Sequence, residues 1–386
     1  MSSISAATIV ETRRRLREQM PVTEKWAYFD HAAVAPLTAP AAAAMRENVR
    51  QALEEGDTAW PEWARGMQRT RESAARLIGA DADEITLMPN TTAGINLVAE
   101  GLDWRRGDNV VTLADEYPSN IYPWMHLADR GVETRLTPTA DGRVDYDQLA
   151  DLCDDRTRVI TVSWVAYSNG CRRDLKSISE IAARRGALFF VDAIQGLGVF
   201  PLDVRETPID FLAADGHKWQ LGPEGAGIAY VRRDRLPLLR AVYVGAHSVV
   251  QDHDYTHIEL RLKPDASRYE GGSMNIPGLL GYGASIELLQ SLGVANVAAS
   301  ILDISDRVCA ELERIGVRVV SPREGHQRSG IVSLEFPGAD LAAVRRHCLL
   351  RGVALACRAG RIRVSPHAYN NETDVERLLA ALESFG

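Results

Sequence analysis

The chain has 386 residues, 46% hydrophobic and 25% charged, a length and balance that suit a globular protein with one large domain and a smaller companion. Its 44 basic against 52 acidic side chains give a formal charge of −8, which speaks against a nucleic-acid surface and for plain solubility. The five cysteines include no C-x-x-C pair and indicate neither a disulfide framework nor a zinc ribbon; no apolar run reaches membrane-spanning length. The first residues, MSSISAATIVETRRRLREQ, lack the apolar core of a signal peptide, so the expected address is cytoplasmic.

Residues 4–19 read as an amphipathic helix with a solvated face at Arg13 to Arg17, ended by Pro21. His31 reads as a structural histidine, and residues 39–79 are helical in pattern, interrupted near Gly56 and Pro61. ITLMP (85–89) is a short apolar strand that delivers Asn90, Thr91 and Thr92 to the start of the helix AGINLVAEGL. Two hydroxyls and free N–H groups there make an anion site, and the same threonines taken alone serve as a helix cap. NVVTLADEYPSN (109–120) is the next strand and its exit loop, carrying Tyr117, which on its own reads as a core aromatic. RVITVSWVAYSNG (158–170) empties Tyr167 and Asn169 into a polar loop, followed by Cys171, an inert free thiol with no histidine or metal partner evident. A helix, DLKSISEIAARRG, then leads into LFFVDAIQ (188–195), a strand ending on Asp192 with Gln195 three residues later.

DFLAADGHKWQLGPEGAGIAY (210–230) is an apolar strand that breaks at Asp215-Gly216 to present His217 and Lys218 before a glycine-rich turn. An ammonium just past a buried strand is desolvated, which lowers its pKa and frees the lone pair that a Schiff-base lysine needs. Asp192 at one strand end and Lys218 near the next are the two groups that pyridoxal phosphate requires, a carboxylate for the pyridine nitrogen and an amine for the aldehyde. Strands alternating with helices predict a doubly wound parallel sheet, with Thr91, Thr92, Tyr117, Asn169, Asp192 and Lys218 all past strand ends on one edge. GPEGAG precedes a strand, and no G-x-G-x-x-G or Walker pattern occurs, so a dinucleotide is not expected. Downstream, Asp252, His253, Asp254 and His257 lack a helical period to gather them, so a loop at the mouth of the site is preferred and no metal is expected. The remainder alternates helices with the short strands GIVSLEF and RIRVS, an α+β arrangement.

VDAIQ, GHKW and GPEGAG, in this order and spacing, resemble the class V aminotransferase group of fold-type I pyridoxal-phosphate enzymes. That group includes cysteine desulfurases, isopenicillin N epimerase-like proteins and C–S lyases. The resemblance runs from YFDHAA near residue 28 to RVSPHAYN near residue 363. It implies an α/β fold: a large domain (26–280) with a mainly parallel seven-stranded sheet, a smaller α+β C-terminal domain (281–386), and an N-terminal helical segment (1–25) packed on the small domain.

The resemblance also implies roles. Lys218 forms the Schiff base and removes the Cα proton, Asp192 keeps the ring nitrogen protonated, and Gln195 bonds the ring hydroxyl. His217 supports phosphate or lysine, and Thr91 and Thr92 hold the phosphate. Tyr117 stands where the family often has a histidine on the ring face, and either Tyr167 or Asn169 faces the ring. Arg363, with Arg358 beside it, clamps the substrate carboxylate, and Ala32 lets the backbone approach the substrate. Ser273 in RYEGGSMN reaches the phosphate of a neighbouring subunit, so a homodimer is expected. Asp215 occupies a place where some relatives carry serine against the phosphate; it is expected to point away or to pair with a cation.

The chain departs from the desulfurases between Arg358 and Arg363, where the loop bearing their persulfide-forming cysteine has no room; Cys357 does not match it. The leading expectation is amino-group transfer on an α-amino acid, with C–S lyase or β-elimination chemistry and epimerisation as alternatives. From another class stands a non-catalytic pyridoxal-phosphate-binding protein.

Overall fold

The computed structural model describes residues 4–251, 254 and 256–385, so Asp252 and His253 lie outside the described residues. Helix α1 (Ala6–Arg17) opens on Ser5, whose hydroxyl accepts from the Thr8 N–H. A short strand β1 (Ala27–Tyr28) leads through the Asp30–Ala33 turn to α2 (Ala39–Glu54), capped by Thr38, and α3 (Trp60–Ile78). The break between α2 and α3 is a short 3-10 turn over Gly56–Ala59.

The large sheet is built from β2 (Ile85–Met88), β3 (Asn109–Leu113), β4 (Glu133–Thr137), β5 (Thr157–Ser163), β6 (Leu188–Asp192), β7 (Phe211–Asp215) and β8 (Gly227–Val231). Its seven strands lie in the order β2-β8-β7-β6-β5-β3-β4. Only β8 runs against its neighbours, pairing antiparallel with both β2 and β7. Therefore β2, β3, β5, β6 and β7 all point their carboxyl ends to the same edge, where an open α/β sheet binds ligands. Helices α4 (Thr91–Gly101) and α5 (Leu175–Arg185) are two of the crossovers. Alternation along the strands feeds two apolar layers: Ile160, Phe189, Val191 and Leu212 on one face, Val159, Phe190, Phe211 and Ala213 on the other. Both faces being covered, β2, β3, β7 and β8 are buried at every position, as expected of near-continuous apolar runs.

Helix α6 (Ile276–Leu292) packs on α2 and α3 and meets α7 (Val294–Arg314) at 83°. No single helix among the described residues is long and apolar enough to cross a membrane. Beyond α7, strands β9 (Arg318–Val319), β10 (Val332–Glu335), β11 (Val353–Ala354), β12 (Ala356–Arg358) and β13 (Arg361–Val364) follow, with helices α8 (Leu341–Leu350) and α9 (Glu372–Glu383). Four of these strands form an antiparallel sheet in the order β9-β10-β13-β12, while β11 pairs in parallel with β1. A third apolar cluster, with Ile304, Val308, Leu334, Val353, Ile362 and Leu378, also takes in Ala27 and Phe29 from the start of the chain. Helix α1 is tied to the same region, Arg13 to Asp303 at 2.6 Å and Arg17 to Asp374 at 2.8 Å.

Candidate active site

Asp192 is the last residue of β6 and almost fully buried; its Oδ1 accepts from the Ile194 N–H at 3.0 Å, and its Oδ2 makes no hydrogen bond among the described residues. Burial pushes this carboxyl up from its ordinary range, and the Glu116 charge adds to the effect. Lys218 lies three residues past β7, and burial pulls its ammonium down, with Asp192 opposing and Arg363 assisting. The Lys218 Nζ sits 5.7 Å from the centre of the Tyr117 ring, which meets Tyr167 edge-on at 5.2 Å. Tyr117 remains 45% exposed, so this aromatic corner is open to an incoming ring.

The N-terminus of α4 resolves the two readings of its threonines. Asn90 is the cap, its Oδ1 accepting from the Ala93 N–H at 2.8 Å, which leaves both threonines inside the helix. The Thr91 hydroxyl accepts from the Asp215 N–H at 2.9 Å, and the Thr92 hydroxyl donates to Ser119 at 3.0 Å. Asp215 Oδ2 lies 2.9 Å from Nδ1 of His217 without a hydrogen bond, and Oδ1 has no partner among the described residues. Asp215 thus stays buried at the helix terminus, with the His217 imidazole as its neighbour.

Gln195 ties two walls together: its Nε2 donates to the Ala32 carbonyl at 3.0 Å, and its Oε1 accepts from Trp219 Nε1 at 2.7 Å. The second N–H on Nε2 is left for a ligand. Ala32 is itself held by a hydrogen bond from its N–H to Ser365 Oγ at 3.1 Å. Arg363 is 2% exposed; its Nη1 donates to the Tyr167 carbonyl at 2.9 Å, while Nε and Nη2 have no hydrogen-bond partner among the described residues. Asp30 Oδ1 stands 3.7 Å from Nη2, too far for a hydrogen bond. A buried guanidinium edge with two idle donors fits a planar carboxylate. Arg358, by contrast, is exposed on β12 and bonds only the Cys357 carbonyl.

Two expected residues are not brought into this cluster. Asn169 spends its amide inside its own loop, donating to the Asp141 carbonyl at 2.6 Å and accepting from the Cys171 N–H at 3.1 Å, so Tyr167 is the member of that pair that meets Tyr117. Ser273 lies in a separate apolar groove of about 460 Å³, lined by residues that include Met88, Leu97, Tyr243, Tyr269 and Met274.

Other members of the site were not singled out in the sequence. Glu116 is fully buried and accepts from the Ser163 N–H at 2.7 Å, from Ser163 Oγ, from Asn120 at 3.2 Å and from Arg173 at 2.5 Å. Ser163 is the residue of β5 that pairs with Asp192, so this network braces the strand end that carries the carboxylate. A glutamate directly before Tyr117 was the only visible signal, and nothing local tells a buried acid from a loop acid. Asp30 in YFDHAA is likewise part of the site, as the anion nearest Arg363.

Behind Lys218, His367 bonds the Trp219 carbonyl through Nε2 at 3.0 Å and stacks on the Trp219 ring, while His31 lies between Ser365 and Tyr369. Burial pulls His367 down to about 4. The unfolded chain binds this proton below roughly pH 6.5 and the folded one only near pH 4, so stability present above 6.5 is lost as pH falls through that window. We expect up to roughly 3 kcal/mol from this histidine alone. A flatter pH dependence of the melting temperature in His367→Asn between pH 6.5 and 4 checks it; an unchanged slope contradicts it.

The turn between Arg358 and Arg363 is a two-residue hairpin, Ala359-Gly360, with both residues at positive φ (49° and 71°) and Arg358 paired to Arg361. Cys357, on the strand before it, donates its thiol to the Leu341 carbonyl at 3.0 Å. The other four cysteines are buried.

Residues 27–378 match the family model described as Aminotransferase class-V. The chain is 31% identical over 391 residues to a probable cysteine desulfurase of Methanothermobacter thermautotrophicus, covering 95% of this chain and 96% of that one. Among solved structures, the cystine C–S lyase C-DES in complex with its product cysteine persulfide superposes with a TM-score of 0.89 at 25% identity, over 95% of this chain and 100% of that one. A lysine-to-alanine mutant of C-DES with glycine covalently linked to its pyridoxal-phosphate cofactor superposes with a TM-score of 0.90 at 24% identity, over 96% of this chain and 99% of that one.

Proposed function

Since the chain belongs to the class V aminotransferase family, whose cofactor is pyridoxal 5'-phosphate, we propose that it is a C–S lyase that breaks the Cβ–S bond of a cysteine-type amino acid by β-elimination. One observation carries this reading: the two-residue Ala359-Gly360 turn is too short to be the loop that would carry an acceptor cysteine to the substrate. Sulfur then leaves with the substrate fragment instead of passing to the protein. The likeness to the cystine C–S lyase agrees with this, and amino-group transfer, the leading expectation from the sequence, becomes the second outcome to test.

The residues present fit the cofactor. Asp192 offers a carboxylate oxygen, Oδ2, to which none of the described residues donates, α4 offers first-turn N–H groups, and Lys218 offers a desolvated amine. When bound, pyridoxal phosphate supplies an aldehyde for the substrate amine and a ring that takes up the electron pair left at Cα. Asp192 would hold a proton on the ring nitrogen, and the bonds of Glu116 to Ser163 and Arg173 brace the strand end beside it. Arg363 receives the substrate carboxylate on Nε and Nη2, fixing Cα near Lys218, whose Nζ removes the Cα proton. Tyr117 and Tyr167 form an aromatic wall beside Lys218 against which the ring can rest. With the proton gone, the Cβ–S bond breaks, its electron pair leaves on sulfur, and the three-carbon product hydrolyses to pyruvate and ammonia.

The same reading includes a homodimer in which Ser273 completes the partner's phosphate site. Its support is the apolar groove around Ser273 and the exposed Val242, Tyr243 and Val244 beside it. The deciding experiment gives L-cysteine and L-cystine to protein shown by sedimentation to be dimeric. Equal amounts of pyruvate and ammonia with released sulfide or persulfide, undiminished when all five cysteines are serine, are expected. Alanine as product, or a keto acid with sulfur still attached, would overturn the lyase reading.

A further inference from the structure

Asp215 ends β7, and its side chain shares a sheet face with Ala213 two residues earlier. That face is the one α4 packs on: a Cβ added to Gly94 would stand 2.6 Å from the Ala213 Cβ. The Asp215 N–H donates to Thr91 Oγ1 at 2.9 Å, so the carboxylate stands beside the first turn of an 11-residue helix. Asn90 takes the N–H groups of Ala93 and Gly94, while those of Thr91 and Thr92 point out of the first turn without intrahelical partners. Asp215 is 3% exposed; Oδ2 faces His217, and Oδ1 has no hydrogen-bond partner among the described residues. The other groups near it are Lys218, on its own loop, and the buried Tyr282 of α6, whose hydroxyl is spent on Gln220 at 2.6 Å. A buried carboxylate oxygen without a donor, beside a helix terminus that attracts anions, fits a ligand that brings both a negative charge and a proton.

We propose that this chain binds the phosphate end of its cofactor as the singly protonated monoanion, whose P–O–H group donates to Asp215 Oδ1. The inference rests on the pyridoxal-phosphate reading of the site. A phosphate dianion has no hydrogen to donate and would set a like charge against the carboxylate in a buried place. The monoanion keeps two acceptor oxygens for the Thr91 and Thr92 N–H groups and turns the third towards Asp215. A serine at this position would donate to phosphate and favour the dianion, so Asp215 reverses the direction of one hydrogen bond at the anchor. Free phosphate monoesters lose their second proton near pH 6, so the affinity of the protein for pyridoxal phosphate falls about tenfold per unit of pH above that value.

Phosphorus NMR of the holoenzyme between pH 6 and 9 reads the protonation state directly. The wild-type resonance is expected at the monoanion position throughout, and Asp215→Ser and Asp215→Asn should move it to the dianion position. In the same variants the steep loss of cofactor affinity with rising pH should flatten. A wild-type resonance at the dianion position overturns the proposal and leaves the cofactor assignment standing, whether or not either variant folds. Phosphorus that separates from the protein on gel filtration overturns both.

Discussion

Replacing Lys218 with alanine should lower C–S cleavage by about 10⁴-fold or more while leaving the fold intact. The expectation follows from where the amine sits. Lys218 makes no hydrogen bond within the described residues, and burial already works against its charge, so its removal breaks no structural contact and relieves a desolvated cation. The melting temperature should hold or rise. The cofactor can still be held at its phosphate and ring, so the variant should bind it without covalent attachment, and borohydride treatment followed by peptide mass analysis should find no modified lysine. Recovery of the same modified peptide region, or turnover within tenfold of the wild type, would remove Lys218 from the centre of the chemistry.

Arg363→Met should cost roughly 10²- to 10³-fold in kcat/KM, mostly through KM, because a bidentate carboxylate contact to a buried guanidinium is worth on the order of 3–4 kcal/mol. Stability should move the other way once the neighbouring acid is also neutralised. Arg363 leaves Nε and Nη2 unsatisfied in a buried place, and Asp30 Oδ1 is unsatisfied opposite them. Each idle buried group costs about 1–3 kcal/mol. Burial pushes the Asp30 carboxyl up and Arg363 alone holds it back most strongly. The double variant Asp30→Asn with Arg363→Met should therefore be more stable than wild type by roughly 1–3 kcal/mol and inactive, a site that keeps strain for its ligand. A double variant that melts lower would mean that the pair supports the fold despite the 3.7 Å gap.

Much of this was legible because strand ends in a parallel sheet announce themselves. LFFVD and DFLAAD are unbroken apolar runs closed by an acid, and both proved to be buried strands with those acids at the binding edge. Strand β4 was not singled out, since Glu133 and Arg135 of ETRLT lie on the exposed rim of the sheet and dilute the apolar pattern. The choice between Tyr167 and Asn169 was not written locally: a loop has no period that tells which side chain turns inward, and the answer depends on hydrogen bonds to Asp141, far along the chain. Glu116 and Arg173 were invisible for a related reason. Each is an ordinary charged residue by itself, and only their meeting at 2.5 Å across two loops makes a brace beneath Asp192.

The pairing of β1 with β11, with the bridge from Asp30 to Ser365, has a consequence for synthesis. Ala32 waits for a hydroxyl 333 residues further along the chain. At ribosomal speeds of about 5–20 residues per second, that delay is some tens of seconds. The strand ends bearing Asp192 and Lys218 leave the ribosome well before Arg363 and Ser365 do. On the proposed reading, a nascent chain can accordingly meet its vitamin-derived partner before Arg363, its grip on an amino acid, has been made, and the catalyst becomes competent only after that residue and Ser365 have joined the fold.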